Sequence, residues 1–220
     1  MRHETFLIAA LCVAAPCSAQ RISKPVSSPS RAAAPSGDAA TLRIGAQRYR
    51  LSHEATILRE FSDLLALPNV ASDHLNIRRN ADMLVAMLRK RGVDARTLEL
   101  EGASPAVYGV LTAPGATHTV ILYAHYDGQP VTASQWATPP WSPTLRDKSL
   151  AEGGKTIAFP VDSTTRVSGE ARIYARSSGD DKASIVAMLT ALDALYASGR
   201  KPSVNIKFLF EGEEEAGSPH

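Results

Sequence analysis

Three short stretches of this 220-residue chain place metal-ligating and proton-accepting side chains just after apolar runs. The first reads Val120-Ile-Leu-Tyr-Ala-His125-Tyr-Asp127-Gly-Gln-Pro130. An apolar strand there ends in His-x-Asp, and the two-residue strand period sets His125 and Asp127 on one side. A metal-bound imidazole usually gives its second N–H to a carboxylate, which fixes the tautomer and raises basicity. His125 as ligand and Asp127 as its orienter fit that pattern, and so does a surface turn with incidental charge. The second stretch is Tyr174-Ala-Arg-Ser-Ser-Gly179-Asp180-Asp181-Lys182, where a strand hands over to a helix. Its aspartates suit the positive end of a helix, or one of them could bridge two cations. The third is Phe210-Glu211-Gly-Glu213-Glu214-Glu215, with four glutamates crowded behind an apolar strand. A solvated charge run is one explanation. Like charges at the end of a buried strand are otherwise unfavourable unless cations or protons compensate them. His/Asp, Asp/Asp and Glu/Glu at successive strand ends make a ligand set suited to zinc, and less readily to manganese or cobalt.

These groups need a scaffold, and the pattern supplies one. Apolar residues recur at helical spacing from His53 to Leu67, and Pro68 stops the run. Asp73 can cap a second helix carrying Ile77, Ala81, Leu84, Val85 and Leu88, which Gly92 ends. Strands are predicted at Ala95–Leu100, Ala106–Leu111, Thr119–Ala124, Ala171–Ala175 and Val204–Phe210, and a helix from Lys182 to Ser198. The Pro-, Gly- and Ser-rich region from Gln129 to Gly169 reads as loops. Strands separated by helices give an α/β sheet with helices on its faces.

Composition narrows the function. A formal charge of +2 and no basic cluster interleaved with aromatics exclude a nucleic-acid partner. Residues 1–19 read as a signal peptide: Arg2 precedes the apolar run Phe6–Ala15, and small residues surround a cut after Ala19. The run is too short to span a bilayer, which needs roughly 20 apolar residues, so an exported protein, periplasmic or secreted and without a membrane partner, is expected. Both cysteines, Cys12 and Cys17, fall inside this segment. The mature chain would have neither disulfide nor thiolate ligand, leaving any metal to His, Asp and Glu. Residues 20–40, rich in Ser, Pro and Ala, read as a flexible linker.

The three motifs in this order resemble those of the M20 family of metallopeptidases, with its carnosinase-like dipeptidases nearest in flavour. HYDGQP at 125–130 matches the family's His-x-Asp motif, 175–183 its Gly-Arg-Gly-x-x-Asp-Asp-Lys-Gly motif, and 211–218 its Glu-Gly-x-Glu-Glu-x-Gly-Ser motif. The resemblance implies a zinc-peptidase-like three-layer α/β fold, with a mostly parallel sheet and helices on both faces. Residues 41–220 would be the N-terminal part of its catalytic domain. It also implies two zinc ions per chain, with His125 binding one, Asp127 orienting it, Asp180 bridging both and Glu215 binding the second. Glu214 would be the general base, and the Asp180–Asp181 peptide would be cis. Each ion would need one more ligand from beyond residue 220, where a lid or dimerisation domain is also expected.

The chain departs from the family pattern at Ala175, Ser177 and Ala183, which replace motif glycines, and at an insertion from Lys148 to Glu170. The implied reaction is hydrolysis of a small peptide by metal-activated water, with Glu214 carrying the proton. An N-acyl-amino-acid amidohydrolase needs the same groups and stays open, as does a catalytically dead binding protein on the same fold.

Overall fold

The computed structural model describes residues 37–220, so the expected signal peptide and most of the expected linker lie outside the described residues. The linker's expected end at residue 40 is corrected, because α1 spans Gly37–Ser52. Two helices follow where the apolar spacing predicts them, α2 at Glu54–Leu65 and α3 at His74–Arg89. Asp73 caps α3 by accepting the Asn76 backbone N–H at 3.2 Å, satisfying one of the orphan donors of the first turn. The strands are β1 (Asp94–Leu98), β2 (Ala106–Leu111), β3 (Thr119–His125), β4 (Thr144–Arg146), β5 (Arg172–Tyr174) and β6 (Asn205–Glu211). Helix α4 covers Lys182–Ala197, between β5 and β6.

The main sheet runs β1-β2-β6-β3. Its β3–β6 pairing is parallel, with His125 opposite Glu211, whereas β1–β2 and β2–β6 are antiparallel. The α/β reading stands, but the described sheet is mixed where a mostly parallel one was expected. Connector length explains it. The short 99–105 link turns the chain straight back, while a parallel pair needs a crossover of a dozen or more residues, and β3 to β6 has one in α4. Strand β5 is also corrected. It pairs with β4, inside the region read as loops, in a separate two-stranded sheet. The Asp180 segment is therefore carried by a loop and the start of α4, not by a main-sheet strand.

Leu64, Leu65, Leu84, Leu88, Ile185 and Leu189 pack with Val107, Ala124, Phe208 and Phe210 in one core. Each fully buried aliphatic or aromatic side chain contributes about 1.5–3 kcal/mol. On the other sheet face Leu98, Ile121 and Tyr123 remain 39%, 64% and 46% exposed. The second helical layer expected there is not found among the described residues. No described helix is long and apolar enough to cross a membrane.

Candidate metal centre

The parallel register carries β3 and β6 to one edge together, and Tyr126 N–H extends the ladder by donating to Glu211 O at 2.8 Å. Two glycines permit the crowding beyond it. A Cβ on Gly128 would lie 2.4 Å from Ser177 Oγ, and one on Gly212 would lie 2.4 Å from the Tyr126 hydroxyl oxygen. Tyr126 itself is fully buried, and its hydroxyl donates to Pro105 O.

His125 is buried at the tip of β3. Its Nε2 lies 2.9 Å from Asp180 Oδ1 and 3.8 Å from Glu214 Oε2. Ligand atoms of His125, Glu214 and Glu215 all fall within 4.8 Å of one another. Asp180 meets His125 but is outside that three-residue cluster, and its side chain is 80% exposed.

Asp127 is fully buried and does more than face the imidazole. Oδ1 accepts the Glu214 backbone N–H at 3.2 Å and Oδ2 the Glu215 N–H at 3.0 Å. It thus caps the short 3-10 turn Glu214–Ala216 from a distant part of the chain. Burial pushes its carboxyl up, against the lowering effect of the Glu215 N–H and the His125 charge. Gln129 Nε2 donates to Glu215 Oε2 at 2.6 Å, so both ends of Glu215 are held by the HYDGQP segment.

The glutamate run divides its work. Glu211 accepts the Tyr123 hydroxyl at 2.6 Å and the Ser218 hydroxyl. Glu213 is buried, accepts Ser104 N–H at 3.2 Å and lies 3.2 Å from His220 Nδ1. Only Glu214 and Glu215 turn to His125, and His220 takes no part in the cluster. The aspartates divide theirs too. Asp181 occupies the N-cap of α4 and accepts the Ser184 hydroxyl, while Asp180 reaches His125. The peptide joining them is cis.

Does this set suit a divalent cation? Burial favours neutral His125, but the Asp180 hydrogen bond and the charges of Asp127, Glu214 and Asp180 outweigh it, and the imidazole pKa is raised. Its Nδ1 is buried 3.3 Å from Asp127 Oδ1, off hydrogen-bond alignment and otherwise without a partner. A cation on Nε2 would take the proton's place among these carboxylates and leave Nδ1–H facing Asp127, the usual arrangement behind a metal-bound histidine. The residues fit a divalent metal.

Sequence reasoning left Lys182 and Asn69 without roles. Lys182 is fully buried. It donates through Nζ to Leu64 O at 2.8 Å and more weakly to Leu67 O at 3.4 Å, past the negative end of α2. Desolvation brings its pKa down to about 7. Its anchoring fixes where α4 starts and so where Asp180 stands. The insertion lies along α1 and α2: Arg59 reaches Val161 O at 3.3 Å, Arg166 donates to Leu51 O, and Glu54 accepts Val167 N–H at 3.1 Å.

Residues 121–220 match peptidase family M20/M25/M40. Over these residues the chain belongs to this family. The chain is 31% identical over 170 residues to the Cys-Gly metallodipeptidase of Candida albicans, covering 70% of this chain and 31% of that protein. The succinyl-diaminopimelate desuccinylase of Acidovorax ebreus is 31% identical over 107 residues, 48% of this chain and 22% of its own. Among solved structures, the M20 family metallo-carboxypeptidase Sso-CP2 from Sulfolobus solfataricus superposes with a TM-score of 0.56 at 30% identity, over 74% of this chain and 32% of that one. The chain thus spans about a third or less of these proteins' length.

Proposed function

We propose that the full-length protein is a metal-dependent hydrolase that cleaves an amide bond in a small peptide, of dipeptidase or carboxypeptidase type. The observation that carries this reading is the convergence of His125, Glu214 and Glu215 within 4.8 Å, with Asp180 on the His125 nitrogen. The names of the Candida and Sulfolobus relatives support the peptide class. His125, Asp180 and Glu215 would hold two divalent ions, zinc by their donor chemistry, with Asp180 between them. Ions of this kind, when bound, polarise a carbonyl and lower the pKa of water.

The chain's own residues do the rest. Asp127 keeps the His125 ring oriented. Glu214, 44% exposed at the cluster's edge, takes a proton from the attacking water. The water oxygen bonds to the amide carbon, the C–N bond breaks, and Glu214 passes the proton to the leaving amine. One further ligand per ion would come from sequence beyond residue 220, so residues 1–220 alone should bind metal weakly and turn nothing over.

Elemental analysis of the full-length protein, with a panel of dipeptides and N-acyl amino acids, tests the proposal. Two zinc equivalents and dipeptide cleavage are expected. A stoichiometry of one that excess zinc cannot raise counts against a bridging Asp180. Preference for the acylated substrates would favour the second reading, an N-acyl-amino-acid amidohydrolase, which the desuccinylase relative supports. Export is likewise proposed, on residues 1–19, and N-terminal sequencing of the native protein should begin near Gln20.

A further inference from the structure

Behind the metal centre sits a carboxamide that the three motifs do not include. Asn69 lies past the end of α2 and is fully buried. Its Nδ2 donates to Tyr126 O at 2.8 Å and to Ser177 Oγ at 2.8 Å. Its Oδ1 accepts the Trp141 indole N–H at 3.2 Å, and its backbone oxygen accepts Gly128 N–H at 2.9 Å. An indole nitrogen can only donate, so the amide orientation is set: oxygen to Trp141, nitrogen to the two acceptors. Every hydrogen-bonding group of the side chain is used.

The partners matter more than their number. Tyr126 and Gly128 flank Asp127, so Asn69 grips the chain on both sides of the carboxylate that orients His125 and caps the Glu214 turn. Ser177 belongs to the other half of the site, the turn leading to Asp180. It is buried, holds φ at 63°, and sends its hydroxyl to Asp127 O at 3.3 Å. A left-handed backbone at a serine is unfavourable relative to glycine. Here the hydroxyl earns its place by joining a relay, Trp141 to Asn69 to Ser177 to Asp127, in which each donor polarises the next.

We infer that Asn69 is a positioning residue that locks the His125/Asp127 segment to the Ser177–Asp180 turn, so that ligands from two separate parts of the chain meet in one geometry. This inference rests on the metal-centre reading. The Asn69 side chain is fully engaged by Tyr126, Ser177 and Trp141, so it acts through Asp127 and Ser177 rather than as a ligand.

Calorimetric titration of the metal-free full-length protein with zinc tests this. Asn69→Ala should weaken zinc binding about 10- to 100-fold, the usual consequence of removing a group behind a ligand. At saturating zinc it should lower kcat while KM stays within about two-fold, because substrate contacts are untouched. Ser177→Gly keeps the left-handed turn and deletes only the hydroxyl link, so it decides the case if Asn69→Ala fails to fold. It should melt close to the parent, since relief of the backbone offsets the lost hydrogen bond, yet still lose zinc affinity. Unchanged zinc affinity in a folded Asn69→Ala, or in Ser177→Gly where Asn69→Ala does not fold, overturns the inference. Failure of the parent protein to bind zinc overturns the metal-centre reading and the inference with it.

Discussion

The Asp127 carboxylate accepts the Glu215 backbone N–H at 3.0 Å, across 88 residues of chain. The same carboxylate faces His125 and binds the neighbouring Glu214 N–H. One buried side chain therefore aligns the imidazole and the glutamate turn, and changing it should disturb both.

Asp127→Asn should reduce zinc affinity by about 10- to 100-fold. The amide oxygen can still accept one N–H, but its NH₂ group must then face either the second N–H or the imidazole. Zinc titration checks the affinity and the melting curve checks the fold. Parent-like affinity in a folded variant would show that Asp127 does not orient the ligand.

Glu214 and Glu215 should separate by substitution. Glu214→Gln should cut turnover by about 10²- to 10⁴-fold with metal content intact, because the amide fills the space but accepts no proton. Glu215→Gln should first lose metal, with activity partly restored by added zinc. Kinetics and metal content on both variants decide. Metal loss in Glu214→Gln but not Glu215→Gln would mean that the roles are exchanged.

Acid sensitivity is expected at the cap of α3. The Asn76 side chain, and next its backbone N–H, hold the Asp73 carboxyl below its ordinary 3.8. A depressed carboxylate contributes stability that is present above the unfolded value and lost as pH falls through the folded one. Asp73→Ala should therefore cost about 1 kcal/mol at neutral pH. That gap should narrow as pH drops below 3.8. Urea melts of parent and variant at several pH values measure it, and a gap independent of pH would remove the charge from the explanation.

Arg91 ties three helical segments together. Its guanidinium is 5% exposed and sits 2.7 Å from both Glu60 of α2 and Asp193 of α4. Breaking a buried ion pair from one side costs about 3–5 kcal/mol. The low end suits Arg91→Ala, since the Glu60 and Asp193 side chains keep 17% and 26% exposure. For a domain of this size that corresponds to roughly 10 °C in melting temperature. Arg91→Lys should rescue little, because an ammonium cannot serve both carboxylates with a planar fork. A loss under about 1 kcal/mol would place this network with ordinary surface pairs.

The sequence by itself determined most of the helices and main-sheet strands and the candidate ligands. Helical spacing up to Pro68, the Asp73 cap and the apolar runs before His125 and Glu211 are local signals. They needed no tertiary knowledge, because periodicity and capping act within a few residues. His125, Asp127, Asp180, Glu214 and Glu215 stood out as candidates partly because His/Asp and Glu/Glu pairs close apolar runs, and their individual roles came from the resemblance of the three motifs to the M20 family. Tertiary structure alone decided the rest. Pairing β5 with β4 rather than with the main sheet depends on long-range partners that no local pattern specifies. So does the sorting of the glutamates, since Tyr123, Ser104 and Gln129 select which carboxylate turns where. Asn69 was silent in the sequence, and Lys182 was named there only as part of a motif, because one amide or one lysine has no period. Their roles come from burial, which obliges each polar atom to find a partner, and those partners lie 57 to 118 residues away.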